Sequence, residues 1–120
     1  MSRILICDDS AFMRMMLKKM ITDLGHEVVA EAGDGKQAVQ LYRQFTPDLV
    51  TMDITMPVMD GIQAVKHIHE EDPLARIIMV TAIGQRSIIS DAIKAGASSF
   101  IVKPFDPEQV EETINKVLAG

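Results

Sequence analysis

Five short apolar runs alternate with five longer stretches of helical periodicity, and this alternation limits the possible folds more than any other feature of the chain. The strand patterns are RILIC (3–7), EVVAEA (27–32), DLVTMD (48–53), RIIMVT (76–81) and SFIVK (99–103). Between them, residues 11–24 place Met13, Leu17, Met20 and Leu24 on one stripe. Residues 36–45 gather Ala38, Leu41, Tyr42 and Phe45, and Pro47 stops that helix. Ile62, Val65 and Ile68 mark a third helix, and Ile88, Ile89, Ala92 and Ile93 a fourth, which Gly96 closes. The fifth has the clearest start: Asp106 caps, Pro107 suits the first helical position, and Gln109 falls where a capping box wants it. Val110, Ile114, Val117 and Leu118 then face inward.

Strict strand–helix alternation requires parallel strands joined by right-handed crossovers, with helices on both faces of the sheet. The unbroken apolar stretches ILIC and IIMV suit strands covered on both sides. Glu27 and Glu31 make the second run more polar, and Ser98 and Ser99 the fifth, so these two form the edges. The expected fold is therefore α/β: a five-stranded parallel sheet in the order 2-1-3-4-5, doubly wound in the flavodoxin manner. Five strands are too few to close an eight-stranded barrel. At 120 residues, one domain spanning 1–120 accounts for the whole chain.

In such a sheet ligands bind beyond the carboxyl ends of the strands, where the winding direction reverses, here between strands one and three. Strand one ends on Asp8 and Asp9, strand three on Asp53, strand four on Thr81 and strand five on Lys103. Three carboxylates about 5 Å apart repel by roughly 3 kcal/mol per pair at an effective dielectric near 20. They stay ionised together only when cations are supplied. A hard divalent ion with oxygen ligands is the natural choice, and Mg²⁺ suits a site with few carboxylates that keeps some of its waters. The ion and Lys103 together would bring three positive charges against three aspartates. That is an arrangement for phosphoryl transfer, with one carboxylate as nucleophile, cations neutralising the phosphoryl oxygens, and a hydroxyl donating one more hydrogen bond. A single acidic residue at a strand end is usually a solvated cap; five chemistry-bearing residues at four strand ends are not.

Four motifs carry a family likeness: CDDS (7–10), TMDITMPVMDG (51–61), MVTA (79–82) and IVKPF (101–105). In this order and at these spacings the chain resembles the receiver domain of two-component response regulators over essentially its whole length. The resemblance implies that Asp53 is the phosphoryl acceptor. Asp9 would ligate Mg²⁺ directly, Asp8 mostly through water, and the backbone carbonyl of Thr55 would complete the protein ligands. Thr81 would turn inward to hydrogen-bond the phosphoryl group, Lys103 would pair with it, and the Lys103–Pro104 bond would be cis, a geometry rare outside X–Pro bonds. DDSAFMRMML, MDITMPVMDG, TAIGQ and FIVKPF further resemble the family's single-domain chemotaxis regulators. With its end at Gly120 after the fifth helix, the chain is expected to carry no effector domain and to act through a surface.

The partners so implied are a sensor histidine kinase, a flagellar motor switch protein reached through the face of helix four, strand five and helix five, and a phosphatase. The alternative is a phosphorelay intermediate or another stand-alone receiver. The switch aromatic, often Tyr in the family, is Phe100, which keeps the ring and loses any hydroxyl contact. Thr55 and Ile83 occupy positions that tune dephosphorylation in the family.

Composition sets the remaining expectations. The net charge of −5, with no Lys/Arg cluster, argues against a nucleic-acid partner. No apolar run reaches the roughly 20 residues that cross a bilayer, and no signal peptide is evident. Cys7 is the single cysteine and cannot form an internal disulfide, which fits a reducing cytoplasm; a monomer is also expected. Cys7 reads as a small core residue, Met13 and Met20 as core filler, and Arg14 and Met15 as exposed. His67 and His69, two apart on a helix, cannot face one metal. GDGK (33–36) lacks the spacing of a phosphate loop and reads as a turn, while Asp60 and Gly61 shape the entry to the third helix. No enzyme acting on another substrate is expected. An aspartate-dependent phosphatase would place a second Asp where Thr55 stands. A flavin carrier would want a hydroxyl-rich loop and stacking aromatics where this chain has DDSAF, no Trp and one Tyr.

Overall fold

The apolar runs form strands whose burial follows their composition. In the computed structural model, which describes residues 1–82 and 86–120, β1 is Arg3–Cys7, β2 Glu27–Ala32, β3 Leu49–Asp53, β4 Ile77–Thr81 and β5 Ser99–Val102. Every residue of β3 and β4 is buried, as are Ile4 to Cys7 of β1; β2 and β5 are partly exposed. The strands pair in parallel in the order β2-β1-β3-β4-β5, so the expected topology and both expected edges are observed. A register shift between Ile4 and Leu5 marks the β1–β2 ladder.

Because strand side chains alternate in direction, each central strand feeds two cores. Leu5, Cys7, Val50, Met52, Ile77 and Met79 point to one face; Ile4, Ile6, Leu49 and Ile78 point to the other. Helices α2 (Gly35–Phe45), α3 (Gly61–Glu71) and α4 (Arg86–Ala95) cover the first face, bringing Ala38, Val39, Val65, Ile68 and Ala92. Helices α1 (Ala11–Asp23) and α5 (Pro107–Ala119) cover the second with Leu17, Ile21, Val110 and Ile114. Each fully buried Leu or Ile contributes about 1.5–3 kcal/mol relative to exposure.

Helix boundaries follow capping chemistry. Ser10, Asp34, Asp60 and Asp106 cap α1, α2, α3 and α5, and capping boxes to Gln63 and Gln109 complete the starts of α3 and α5. Within GDGK, Asp34 is a helix cap, and Gly35 is needed because a Cβ there would lie 2.1 Å from the Met59 carbonyl oxygen. The α2 helix ends on Thr46 in the left-handed region (φ 39°), one residue before Pro47.

Two expectations need correction, on α1 and at the strand ends. On α1 the deepest residues are Leu17 and Ile21; Met13, Met20 and Leu24 lie at the margin, because the buried stripe runs between the 17–20–24 row and the adjoining i, i+4 row. On α4, Ile93 is 44% exposed and Ala92 and Ala95 face the core; Ile93 lies about 100° round the helix from Ala92 and so turns outward. Asp48, Arg76 and Lys103 flank their strands rather than belonging to them.

Candidate functional site

The carboxyl ends of β1 and β3 are neighbours in the sheet, so the residues that terminate them must meet. Asp8 follows β1 and is 1% exposed; Asp53 ends β3 at 7% exposure; Asp9 is exposed. Carboxylate oxygens of Asp8, Asp9 and Asp53 all lie within 4.8 Å of one another. From the far edge, just beyond β5, Lys103 brings Nζ to 3.2 Å from Asp8 Oδ2 and 3.7 Å from Asp53 Oδ2. The peptide joining Lys103 to Pro104 is cis, in accord with the family resemblance, and the Lys103 N–H donates to the Thr81 carbonyl at 2.6 Å. Thr81 is 5% exposed at the end of β4. The expected residues therefore share one crevice at the reversal of winding. Thr55 lies two residues past the end of β3, near enough for its backbone N–H to favour the ionised Asp53 carboxyl. Phe100, on β5, is 41% exposed, with its ring outside the core. Ile83 lies outside the described residues.

The charge balance is uneven. Burial pushes the Asp53 carboxyl up to about 6; Lys103 and the Thr55 N–H act against burial, whereas Asp8 and Asp9 reinforce it. One lysine thus leaves three carboxylates undercompensated. The donors are all hard oxygens, two on buried residues and one on an exposed residue that leaves the crevice open, which fits a small divalent cation such as Mg²⁺. Beneath the crevice, burial and then Asp8 push the Cys7 thiol far up, so Cys7 is an inert core residue.

The local scaffold explains the placement. Ser10 N–H donates to Asp8 Oδ1 at 2.9 Å and Ser10 Oγ accepts from Met13 N–H at 3.3 Å, so one residue holds the Asp8 carboxylate and starts α1. Gly61 opens α3 so close to the end of β3 that a Cβ would lie 2.0 Å from the Asp53 carbonyl oxygen; its N–H donates to the Ile54 carbonyl at 2.8 Å. Asp60 and Gly61 thus form the entry to α3, as their motif implies. Arg14 is different. Helical periodicity puts it on the exposed side with Met15, and Met15 is 60% exposed, but the Arg14 side chain is only 22% exposed and donates through Nη1 to the Asp8 carbonyl at 2.6 Å. The sequence signal for this contact is its position four residues after the Ser10 cap, one turn up on the side of the helix that overlooks the acidic turn.

A doubly wound parallel sheet with three aspartates and a lysine gathered at its switch point defines the receiver class of signalling domain. The chain belongs to the response regulator receiver domain family, whose model matches residues 4–115. Within that family it is similar to the chemotaxis protein CheY of Bacillus subtilis (61% identical over 116 residues, 97% of each chain) and to that of Thermotoga maritima (57% over 115 residues, 96% of each). Among solved structures it is similar to a CheX–CheY–BeF3–Mg²⁺ complex from Borrelia burgdorferi, with a TM-score of 0.93, 40% identity, and coverage of 96% of this chain and 87% of that one. The response regulator domain of Thermotoga maritima CheB is also similar, with a TM-score of 0.91, 37% identity, and coverage of 98% of this chain and 96% of that one.

Proposed function

We propose that the chain is a phosphorylation switch: Asp53 accepts a phosphoryl group from a sensor histidine kinase, and the face made by α4, β5 and α5 then changes its affinity for a target, the flagellar motor switch in chemotaxis. The observation that carries this reading is the meeting of Asp8, Asp9 and Asp53 oxygens within 4.8 Å, beside a lysine that touches two of them. The similarity to chemotaxis CheY proteins supports the chemotactic setting, and the CheX–CheY complex supports a phosphatase among the partners. No described helix is long and apolar enough to cross a membrane.

Asp8, Asp9 and Asp53, with the Thr55 carbonyl, would hold Mg²⁺. When bound, Mg²⁺ supplies positive charge against the phosphoryl oxygens and lowers the repulsion between the anionic donor and the anionic crevice. An Asp53 carboxylate oxygen attacks phosphorus, the bond from phosphorus to the donor's imidazole nitrogen breaks, and that nitrogen keeps the electron pair. Lys103, already between Asp8 and Asp53, pairs with the new phosphoryl oxygens, and the Thr81 hydroxyl donates to another. The inward movement of Thr81 vacates volume that the Phe100 ring, now outside, can fill. Chemistry on this scheme is confined to the chain's own phosphorylation and dephosphorylation, and two packings differing by a few kcal/mol suffice for the switch.

Intact-mass measurement after incubation with acetyl phosphate and Mg²⁺ tests the proposal. A gain of one phosphoryl mass is expected, lost both in EDTA and in Asp53→Asn. No gain in the wild type, or an equal gain in Asp53→Asn, overturns it.

A further inference from the structure

Arg14 places a cation beside a crevice whose carboxylates attract cations. Those carboxylates and Glu31 draw the guanidinium in, but its charge opposes metal binding, so whatever it contributes to the metal site comes from geometry. Nη1 donates to the Asp8 carbonyl at 2.6 Å, while Nε lies 3.4 Å from Glu31 Oε1. Glu31 stands on β2 opposite Ile6 in the β1–β2 ladder and also meets Lys18 Nζ at 3.6 Å. Arg14 therefore spans from α1 to the ends of both strands. The Asp8 N–H donates to the Ala32 carbonyl at 3.0 Å, Oδ1 accepts from the Ser10 N–H, and Oδ2 pairs with Lys103. With its carbonyl held by Arg14, every polar group of Asp8 has a partner. The carbonyl matters most for the neighbouring residue, because the Asp8 carbonyl and the Asp9 N–H share one peptide plane. A contact that fixes this carbonyl fixes the direction in which the chain presents Asp9, the exposed member of the carboxylate trio.

We propose that Arg14, anchored by Glu31, is a positioning residue that orients the Asp8–Asp9 peptide so that both carboxylates face the metal crevice. The inference rests on the metal-binding reading above and adds a second task to α1, whose start already secures Asp8 through Ser10.

The test exploits opposite signs. Isothermal titration with Mg²⁺ alone gives the affinities of wild type, Arg14→Met, Arg14→Lys and Lys18→Met, with each metal-free unfolding midpoint measured in EDTA. If Arg14 acts only as a charge, Arg14→Met binds Mg²⁺ more tightly than wild type, as Lys18→Met does, and Arg14→Lys is unchanged. If it positions the turn, Arg14→Met binds at least fivefold more weakly and Arg14→Lys falls between, because an ammonium lacks the guanidinium's fixed fork. Lys18→Met stays at or slightly above wild-type affinity. Unchanged or tighter binding in Arg14→Met overturns the inference. Should that variant not fold, Arg14→Lys decides, and wild-type affinity there overturns it equally. Absence of Mg²⁺ binding by the wild type would instead overturn the metal site itself, and the inference with it.

Discussion

Asp53 is the residue at which burial and chemistry conflict. Its carboxyl titrates near 6 in the folded, metal-free protein against an ordinary value of 3.8, so folding favours its protonated form. A raised carboxyl contributes stability below its unfolded value and loses it as pH climbs through the folded one. In EDTA, wild type should therefore lose stability relative to Asp53→Asn between pH 4 and pH 7, a window set by those two values. At pH 7.5 the Asn variant should be the more stable by about 1 kcal/mol, after allowing for its lost pairing with Lys103, and the two should converge near pH 4. Denaturant midpoints across that range would show the divergence, and parallel curves would refute it. A second conflict lies two residues earlier. Thr51 is 1% exposed and its Oγ1 has no hydrogen-bond partner among the described residues. Replacing it with the similarly shaped valine removes a buried unsatisfied hydroxyl, so Thr51→Val should raise stability by about 1 kcal/mol in urea unfolding. The sequence exposed Asp53 through its neighbours in motif, whereas the state of Thr51 was hidden, because a threonine in a strand reveals its partner only once the facing helices are in place.

At the scale of elements, the junction of β3 and α3 shows how tightly the site is built. Gly61 sits where a methyl group would lie 2.0 Å from the Asp53 carbonyl oxygen, backbone that cannot yield without moving Asp53. Gly61→Ala should cost about 3 kcal/mol or more, while Asp60→Ala next to it should cost only about 1, the usual price of a lost cap. Thermal or chemical unfolding of the two variants distinguishes a steric junction from a merely capped helix, since equal losses would mean that the close approach is relaxed. The capping of this helix was legible in the sequence, because Asp60 and Gln63 stand at fixed spacing and act locally. The contact of Gly61 with the end of β3 was not, since it depends on how the loop of residues 54–60 returns to the strand. Arg14 illustrates the same limit: periodicity places it on a polar face, yet its long side chain reaches back to the strand ends. The outward turn of Ile93 follows from packing too, for α4 buries Ala92 and Ala95 and turns Ile93 toward solvent.

For the whole molecule, the sheet separates two cores with few shared side chains. Ile68 lies in one beneath α3, and Ile114 in the other beneath α5; both are fully buried. Each truncation to Ala should cost about 2–5 kcal/mol, and the double variant should equal their sum within roughly 0.5 kcal/mol, measured in a background stable enough to remain folded. A large departure would mean that the sheet transmits strain between its faces. This architecture was the most legible part of the chain. Alternation of period determined the class, and the polarity of EVVAEA and SFIVK determined the edges. The order of strands then fixed where the acids had to meet, so the site was visible before any side chain was placed. The ion pair between Lys103 and Asp8 joins residues 95 positions apart. A protein emerging from the ribosome displays its three aspartates long before the lysine that steadies them. Until the last strand has been made and docked, neither Asp8 nor Asp53 has its ion pair with Lys103. The crevice is thus assembled only when the first strand and the last are both in the sheet.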